Sequence, residues 1–406
     1  MSGQAVDDPE DLDDLEDPEP PTSPRENSLT PEHPTTMTHT PTTKPVSPPN
    51  PGPTRPARRV ATAVLAAALL LAAPLALADA ASQEEVRLQA ACEVAIDRGL
   101  NYLANSQRAD GAWANEGESN VVAYTSLAVM AFLARGYAPG LPPYGDALNR
   151  GVDFVLNSQR DNGMVTGQSG DNMYIHTIAT LMLAEVSGII DAERQAKLDA
   201  VLPKALKVTL DAQRVQKAEA HQGGWRYSPG STDSDLSLSG WALMSLRAAR
   251  ANGAGVPEDA VKQAVAFILR CRSKDGGFSY QPGGNSSNLA RTGAGLLSLE
   301  LCGDHRSDAT KAAGDYVLQN FQKLAGDEKA YNYALYYCSQ GMFQLGEGYW
   351  ERFAPMLFDL LLKNQKEDGS WTPRGELEQK LGPNYATAMS VLALSVTCRQ
   401  LPIYQR

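Results

Sequence analysis

From about residue 85 onward, apolar residues recur at i, i+3, i+4 and i+7, the spacing of one helix face; Leu127, Met130, Ala131 and Ala134 are one such set. The helical stretches come in pairs. In each pair the first helix is amphipathic and ends in Gln or a basic residue. A Gly-aromatic turn follows, and then a second helix that is apolar nearly all round and is therefore expected to be buried. The pairs are 98–113 with 121–136, 150–165 with 173–188, 262–278 with 288–303, 315–324 with 331–346, and 353–371 with 384–396. A third pair in chain order begins near Leu202 and runs through HQGGWRYSPGSTDSDLSLSGWALMSLRAAR at 221–250. Alternating strand patterns are almost absent.

Six copies at a spacing of about 45–60 residues make a repeat architecture. Helix pairs of this kind either stack into an open superhelix or close into a ring. The very apolar second helices favour closure, because a ring buries them inside an outer layer. The expected fold is all-α, with six helical hairpins over residues 81–406.

The chain ahead of the repeats has a different character. Residues 1–57 are rich in Pro, Thr, Ser, Asp and Glu and hold almost nothing to bury, which predicts a disordered tail. Of the net charge of −11, most belongs there: eleven acidic residues between Asp7 and Glu32 face only Arg25 and Lys44. The repeats are near neutral and carry no basic face, so nucleic acid is not an expected partner. Residues 58–80 contain VATAVLAAALLLAAPLALA at 60–78, about the length of a bilayer-spanning helix. Arg55, Arg58 and Arg59 precede it, and Asp79, Glu84 and Glu85 follow, which places the repeats outside the cytoplasm. The segment reads as a single-pass membrane anchor, or as a signal segment cleaved after Ala76-Leu77-Ala78. Translation from Met37 instead of Met1 would give the shorter leader that a signal requires.

Five cysteines form no CxxC pair, and neither His176 nor His221 has a partner at ligand spacing, so no metal site is expected. No cofactor is implied.

The turns carry a recognisable motif. Arg98, Gly99, Tyr102, Leu103, Gln107, Gly111 and Trp113 fit R/K-G-x-x-F/Y-L-x-x-x-Q-x-x-x-G-x-W, and Gln365, Gly369 and Trp371 fit its second half. Gln159 and Gly163 fit with Val165 at the aromatic position; in the fourth unit Arg272 and Phe278 stand in for Gln and Trp. The pattern resembles the QW repeats of squalene and terpenoid cyclases, and the resemblance covers about residues 85–402. It implies the α6/α6 toroid (barrel) of six helical hairpins shared by terpenoid cyclases, protein prenyltransferase β subunits and complement-type thioester domains. Such repeats specify fold more than function. A Gln at a helix end can bond exposed carbonyls and a Trp can cover the turn, so we read the motif as a clasp on the outside of the barrel.

The same resemblance supplies candidate chemistry. Squalene cyclases protonate an alkene with an acid from a D-x-D-D-T-A pattern ahead of an inner helix, and TDSDLSLSGWAL at 232–243 occupies that place. With Asp233 and Asp235 as the first and middle acids, Leu236 replaces the last. Anchored instead on Trp241-Ala242-Leu243, Asp235 becomes the last acid and Ser234 falls at the donor. One acid is missing either way, and an alkene is so poor a base that the donor has to be a buried, tuned carboxyl. Asp235 also fits a plain helix cap. The candidate catalytic residues are Asp235 and Asp233. Registering the inner helices on Thr125, Thr177, Ser239, Thr292, Cys338 and Thr387 puts a ring of small residues near one mouth. The candidate ligand-binding residues beside it are Tyr124, His176, Trp241, Arg291, Tyr337 and Asn384. Tyr174, Tyr333, Tyr336 and Tyr385 are further inner aromatics. Zinc-prenyltransferase and thioester motifs are not matched; Glu116, Glu118 and Asp171 are the loop acids a toroidal glycosidase could use.

Two functions follow. One is a membrane-anchored extracytoplasmic toroid that binds or scaffolds a lipid, glycan or protein partner. The other is a terpenoid-cyclase-like enzyme using Asp235.

Overall fold

A computed structural model describes residue 83 and residues 86–114, 120–303, 305–324, 329–398 and 400–405. The tail, the apolar segment 60–78 and the start-site question lie outside the described residues, as do Glu116 and Glu118. Among the described residues no helix is long and apolar enough to cross a membrane.

Among the described residues the repeats form twelve α-helices: α1 (86–106), α2 (Val121–Ala134), α3 (Gly145–Leu156), α4 (Met173–Val186), α5 (Ala192–Arg214), α6 (Leu236–Ala251), α7 (Glu258–Arg270), α8 (Leu289–Cys302), α9 (Asp308–Asn320), α10 (Tyr331–Leu345), α11 (Tyr349–Asn364) and α12 (Gly382–Leu394). The only extended pairings among the described residues are the isolated bridges Gln159–Val165, Trp225–Asp235 and Arg272–Phe278, each next to a turn. One boundary differs from expectation. The third outer helix starts at Ala192, where Asp191 accepts from the Glu193 and Arg194 amides, and it runs on through Pro203.

The even-numbered helices make the inner layer and close on themselves. α2 packs on α4, α4 on α6, α6 on α8, α8 on α10, α10 on α12, and α12 returns to α2. The odd-numbered helices lie outside them. Burial follows the same division: every residue of α2 but the first is buried, whereas α7 buries only Ala260, Ala264, Phe267 and Ile268. α8 and α10 pack closely; a Cβ on Gly293 would stand 2.7 Å from the Cys338 nitrogen.

The inner helices all start at one rim. The hydroxyl of Tyr333, in the first turn of α10, donates to the carbonyl of Ser237 in the first turn of α6 at 3.2 Å. At the opposite end, Asn252 after α6 donates to the Ala184 carbonyl near the end of α4 at 2.9 Å. We call the starting rim the mouth and the other end the base.

The clasps join neighbouring units. Gln107 Nε2 donates to the Gly111 carbonyl of its own turn and to Ala147 of α3, both at 2.9 Å. Gln159 does the same to Gly163 (3.1 Å) and Val201 (2.9 Å), and Gln213 to Gly223 (2.9 Å) and Ala260 (2.8 Å). Gln365 bonds Gly369 at 2.9 Å and then Ala95 of α1 at 2.8 Å, so the bond that links successive units also closes the circle. The tryptophans are not on the outside. Trp113, Trp225 and Trp371 are 0–2 % exposed, wedged between the layers. Each indole Nε1 donates to a carbonyl of the preceding outer helix, Leu103 at 2.6 Å, Thr209 at 2.7 Å and Leu361 at 2.9 Å. A buried indole needs such a partner.

The closing clasp gives a stability prediction. Gly369 has φ +90°, and a Cβ there would stand 2.4 Å from the Arg98 carbonyl oxygen, a backbone atom that cannot step aside. Gly369→Ala is expected to destabilise the ring by about 2–4 kcal/mol in a denaturant titration. Gly255→Ala, where nothing lies within 4 Å, serves as the neutral control.

Candidate functional site

The site is built from the mouth, where the chain leaves a clasp turn and enters an inner helix. Asp235 is the N-cap of α6, its Oδ1 accepting from the Leu238 amide at 2.9 Å. The backbone around it is held on both sides. The Asp235 amide donates to Trp225 O, and the next amide, Leu236, donates to Tyr280 O, both at 2.9 Å. The carboxyl is fully buried, and Oδ2 has no hydrogen-bond partner. Burial pushes its pKa up to about 7, against the opposing pull of the Leu238 amide and the Arg226 guanidinium. Near neutral pH the acid is therefore part protonated, with one oxygen uncommitted.

Tyrosines surround it. Tyr174, Tyr280 and Tyr333 all have phenols pushed up by burial, and the nearby Asp235 charge adds to each. Tyr174 stacks on Tyr227 with ring centres 5.9 Å apart, and the Tyr227 hydroxyl pairs with that of Tyr280. The Arg226 guanidinium lies 4.5 Å from the Tyr227 ring centre and 5.2 Å from that of Tyr280. On the other side Tyr124 and Tyr385 pack at 5.7 Å. The rim is thus lined by tyrosines from several units.

Three of the rim residues arrive by a common device that the sequence did not reveal. The segment after a clasp turn reaches back and caps the inner helix of the preceding unit. Tyr227 O accepts from the Met173 amide of α4 at 2.8 Å, and Tyr280 O from the Leu236 amide of α6. Glu378, buried in the last unit, accepts from the Asn332 and Tyr333 amides of α10 and from the Tyr385 hydroxyl at 2.5, 2.9 and 2.8 Å. Arg226, Tyr227, Tyr280 and Glu378 are therefore site residues that helical periodicity could not find, because all four sit in turns.

Below the rim, side chains cross the ring. Trp241 of α6 stacks on Tyr336 of α10 at 5.6 Å and 8°, and meets Tyr337 edge-on at 5.3 Å and Tyr333 at 6.2 Å. These two helices are separated by α8, so the aromatic column occupies the lumen between them. The Trp241 Nε1 has no hydrogen-bond partner.

The other candidates are used differently. Asp233 is not a second buried acid: its side chain is 44 % exposed, with Oδ2 3.5 Å from Arg226 Nη1 and 3.3 Å from Gln281 Nε2. The ring of small residues faces outward to the clasps. Thr125, Thr292 and Thr387 accept the amides of Trp113, Phe278 and Trp371 at 3.1 Å, and Ser239 that of Trp225 at 2.9 Å. In the second unit His176 takes this part and Thr177 turns back to Met173 O. His176 Nδ1 accepts the Val165 amide at 3.1 Å, so the ring proton sits on Nε2, which faces Ala205 O and Thr209 Oγ1, both at 3.2 Å. Burial lowers its pKa to about 4, keeping the ring neutral. Both ring nitrogens of His176 are thus engaged within the wall. Asn384 is likewise turned outward, accepting from Ser106 Oγ of α1 at 2.8 Å. Arg291 is 4 % exposed, and its amide is capped by Asn288. Cys338 Sγ donates to Leu289 O at 3.3 Å. Asp171 is an exposed loop acid held by Arg160 and Asn162. Among the described residues no group of three His, Cys, Asp or Glu could hold a metal ion. Of the predicted site, then, the structure brings together Asp235, Trp241 and Tyr337, with Tyr333 between them.

Known proteins agree on the architecture. Residues 146–327 match the family model of the prenyltransferase alpha-alpha toroid domain. A type II terpene cyclase from Scytonema, in complex with geranylgeranyl dihydroxybenzoate, superposes with a TM-score of 0.52 at 14 % identity, over 78 % of this chain and 100 % of that one. A glycosidase does so with a TM-score of 0.52 at 12 % identity, over 77 % and 98 %. An alpha-1,6-mannanase of Salegentibacter sp. gives 0.50 at 12 %, over 76 % and 99 %. Identities this low bear on fold alone. Residues 146–327 are thus similar to a prenyltransferase alpha-alpha toroid domain, and the fold of the described repeats is an α/α toroid like that of the terpene cyclase and the glycosidases.

Proposed function

We propose that this protein is a binding or scaffold toroid, carried outside the cytoplasm on the apolar segment 60–78, whose tyrosine-lined mouth takes a lipid, glycan or protein partner. One observation carries this reading. The lumen between α6 and α10, where a folded polyprene would need room, is crossed by the packed rings of Trp241, Tyr336 and Tyr337. A ligand then rests on the rim and not deep in the barrel. Tyrosines suit this role, since each offers an apolar face and a hydroxyl at low entropic cost.

A second reading, a terpenoid-cyclase-like acid, is favoured by the uncommitted Oδ2 of Asp235. An acid poised near neutral pH beside aromatic faces is what protonation of an alkene requires. Against it stands Asp233, which is held outward by Arg226.

Two measurements separate these readings. The purified full chain, incubated with squalene and with geranylgeranyl compounds, is expected to give no cyclic product by mass spectrometry. Product formed by the wild type and lost in Asp235→Asn would overturn the binding reading in favour of the enzyme. The second concerns pH. A carboxyl whose folded pKa is raised from 3.8 to about 7 stabilises the fold below 3.8, and that contribution is lost as pH rises through about 7. Asp235→Asn keeps Oδ1 for the Leu238 amide and carries no charge. Its melting temperature relative to wild type is expected to improve by about 3 °C or more between pH 4 and pH 8. A difference that stays flat across this range would mean that Asp235 is not a desolvated acid.

A further inference from the structure

The base of the ring, remote from the rim tyrosines, is filled by the segment 400–405. Leu401, Ile403 and Tyr404 are buried there. What holds them is unusual in kind: three side chains on three inner helices address the main chain of the segment. Glu185 of α4 accepts the Ile403 amide at 3.1 Å. Arg247 of α6 donates from Nε to Ile403 O at 3.2 Å and from Nη2 to Gln405 O at 3.3 Å. Gln344 of α10 donates to Tyr404 O at 3.0 Å. The Tyr404 hydroxyl pairs with that of Tyr336.

Buried polar and charged groups are costly without partners. Glu185 is 1 % exposed and Gln344 7 %, and at the base each bonds a backbone atom of one short stretch that turns as a 3-10 helix over Pro402–Tyr404. Backbone atoms are common to every peptide, so these bonds fix position and register whatever the sequence. Selectivity is left to the sites that enclose Ile403 and Tyr404. Main-chain bonds for affinity and side-chain pockets for choice are the elements of peptide recognition. We infer that the base of the ring is a peptide-recognition site, and that residues 401–405 are its intramolecular occupant, exchangeable for the same stretch supplied in trans. The occupant also touches the lumen column, since Tyr404 meets Tyr336 and Tyr336 stacks on Trp241.

The test uses the chain ending at Gln400 and a fluorescently labelled peptide Leu-Pro-Ile-Tyr-Gln, followed by anisotropy. Saturable binding is expected. Methylating the isoleucine amide nitrogen, which removes the proton given to Glu185, is expected to weaken binding by about tenfold or more. Replacing the peptide tyrosine by alanine should do likewise. A folded shortened chain that does not bind, or that binds the methylated peptide equally well, overturns the inference. Should the shortened chain not fold, full-length Tyr404→Ala replaces it. Its loosened segment is expected to yield to added peptide, raising the melting temperature in proportion to the logarithm of peptide concentration. No rise would equally overturn the inference. The mouth plays no part in either arm, so the outcome is independent of what binds there.

Discussion

The ring rests on the two protons of a glutamine carboxamide. In Gln107, Gln213 and Gln365 one proton bonds the glycine carbonyl of the residue's own turn and the other a carbonyl of the next outer helix. A turn is thereby made rigid and tied to its neighbour in a single step. The indole or phenyl ring that follows fills the wedge between layers, and its backbone amide is received by a small hydroxyl on the inner helix. Three levels of structure meet at each turn. Because Gln365 reaches Ala95, the last unit is joined to the first by the same bond that joins the first to the second, the second to the third and the third to the fourth, and no separate device is needed for closure.

This explains why so much of the fold was legible. Periodicity alone marked the helices: the second stretch of the second unit was read as 173–188 and is found at Met173–Val186. The nearly uniform apolar character of the inner helices signalled that both of their sides are covered. Where the reading slipped, a local signal competed with a tertiary one. The third outer helix contains Pro203, the residue that usually opens a helix, yet Asp191 caps it earlier and packing carries it through.

The site was harder to read, for a physical reason. Helical spacing says which residues share a face and does not say whether that face meets a ligand, a clasp or the opposite wall. His176 and Asn384 lie beside true rim residues in register, but their nitrogen and oxygen atoms are consumed by the wall. Asp235 is singled out because TDSDLSLSGWAL resembles a cyclase acid pattern and because an acid before a helix start is a local signal of a cap. Arg226, Tyr227, Tyr280 and Glu378 were missed because their place depends on a turn of one unit reaching the helix of another. Nothing within a single repeat encodes that contact.

The common direction of the inner helices gives the ring an electrical axis. Peptide dipoles aligned along a helix act like about half a positive charge at its start and half a negative charge at its end. Six such starts gather at the mouth and six ends at the base. Asp235 and Glu378 sit at the positive rim and Arg247 near the negative end, in line with that axis, whereas Glu185 is a buried acid at the negative end, where it accepts the Ile403 amide. The aligned starts therefore favour negative charge within the first turn of the inner helices, at the depth of Asp235 and Glu378.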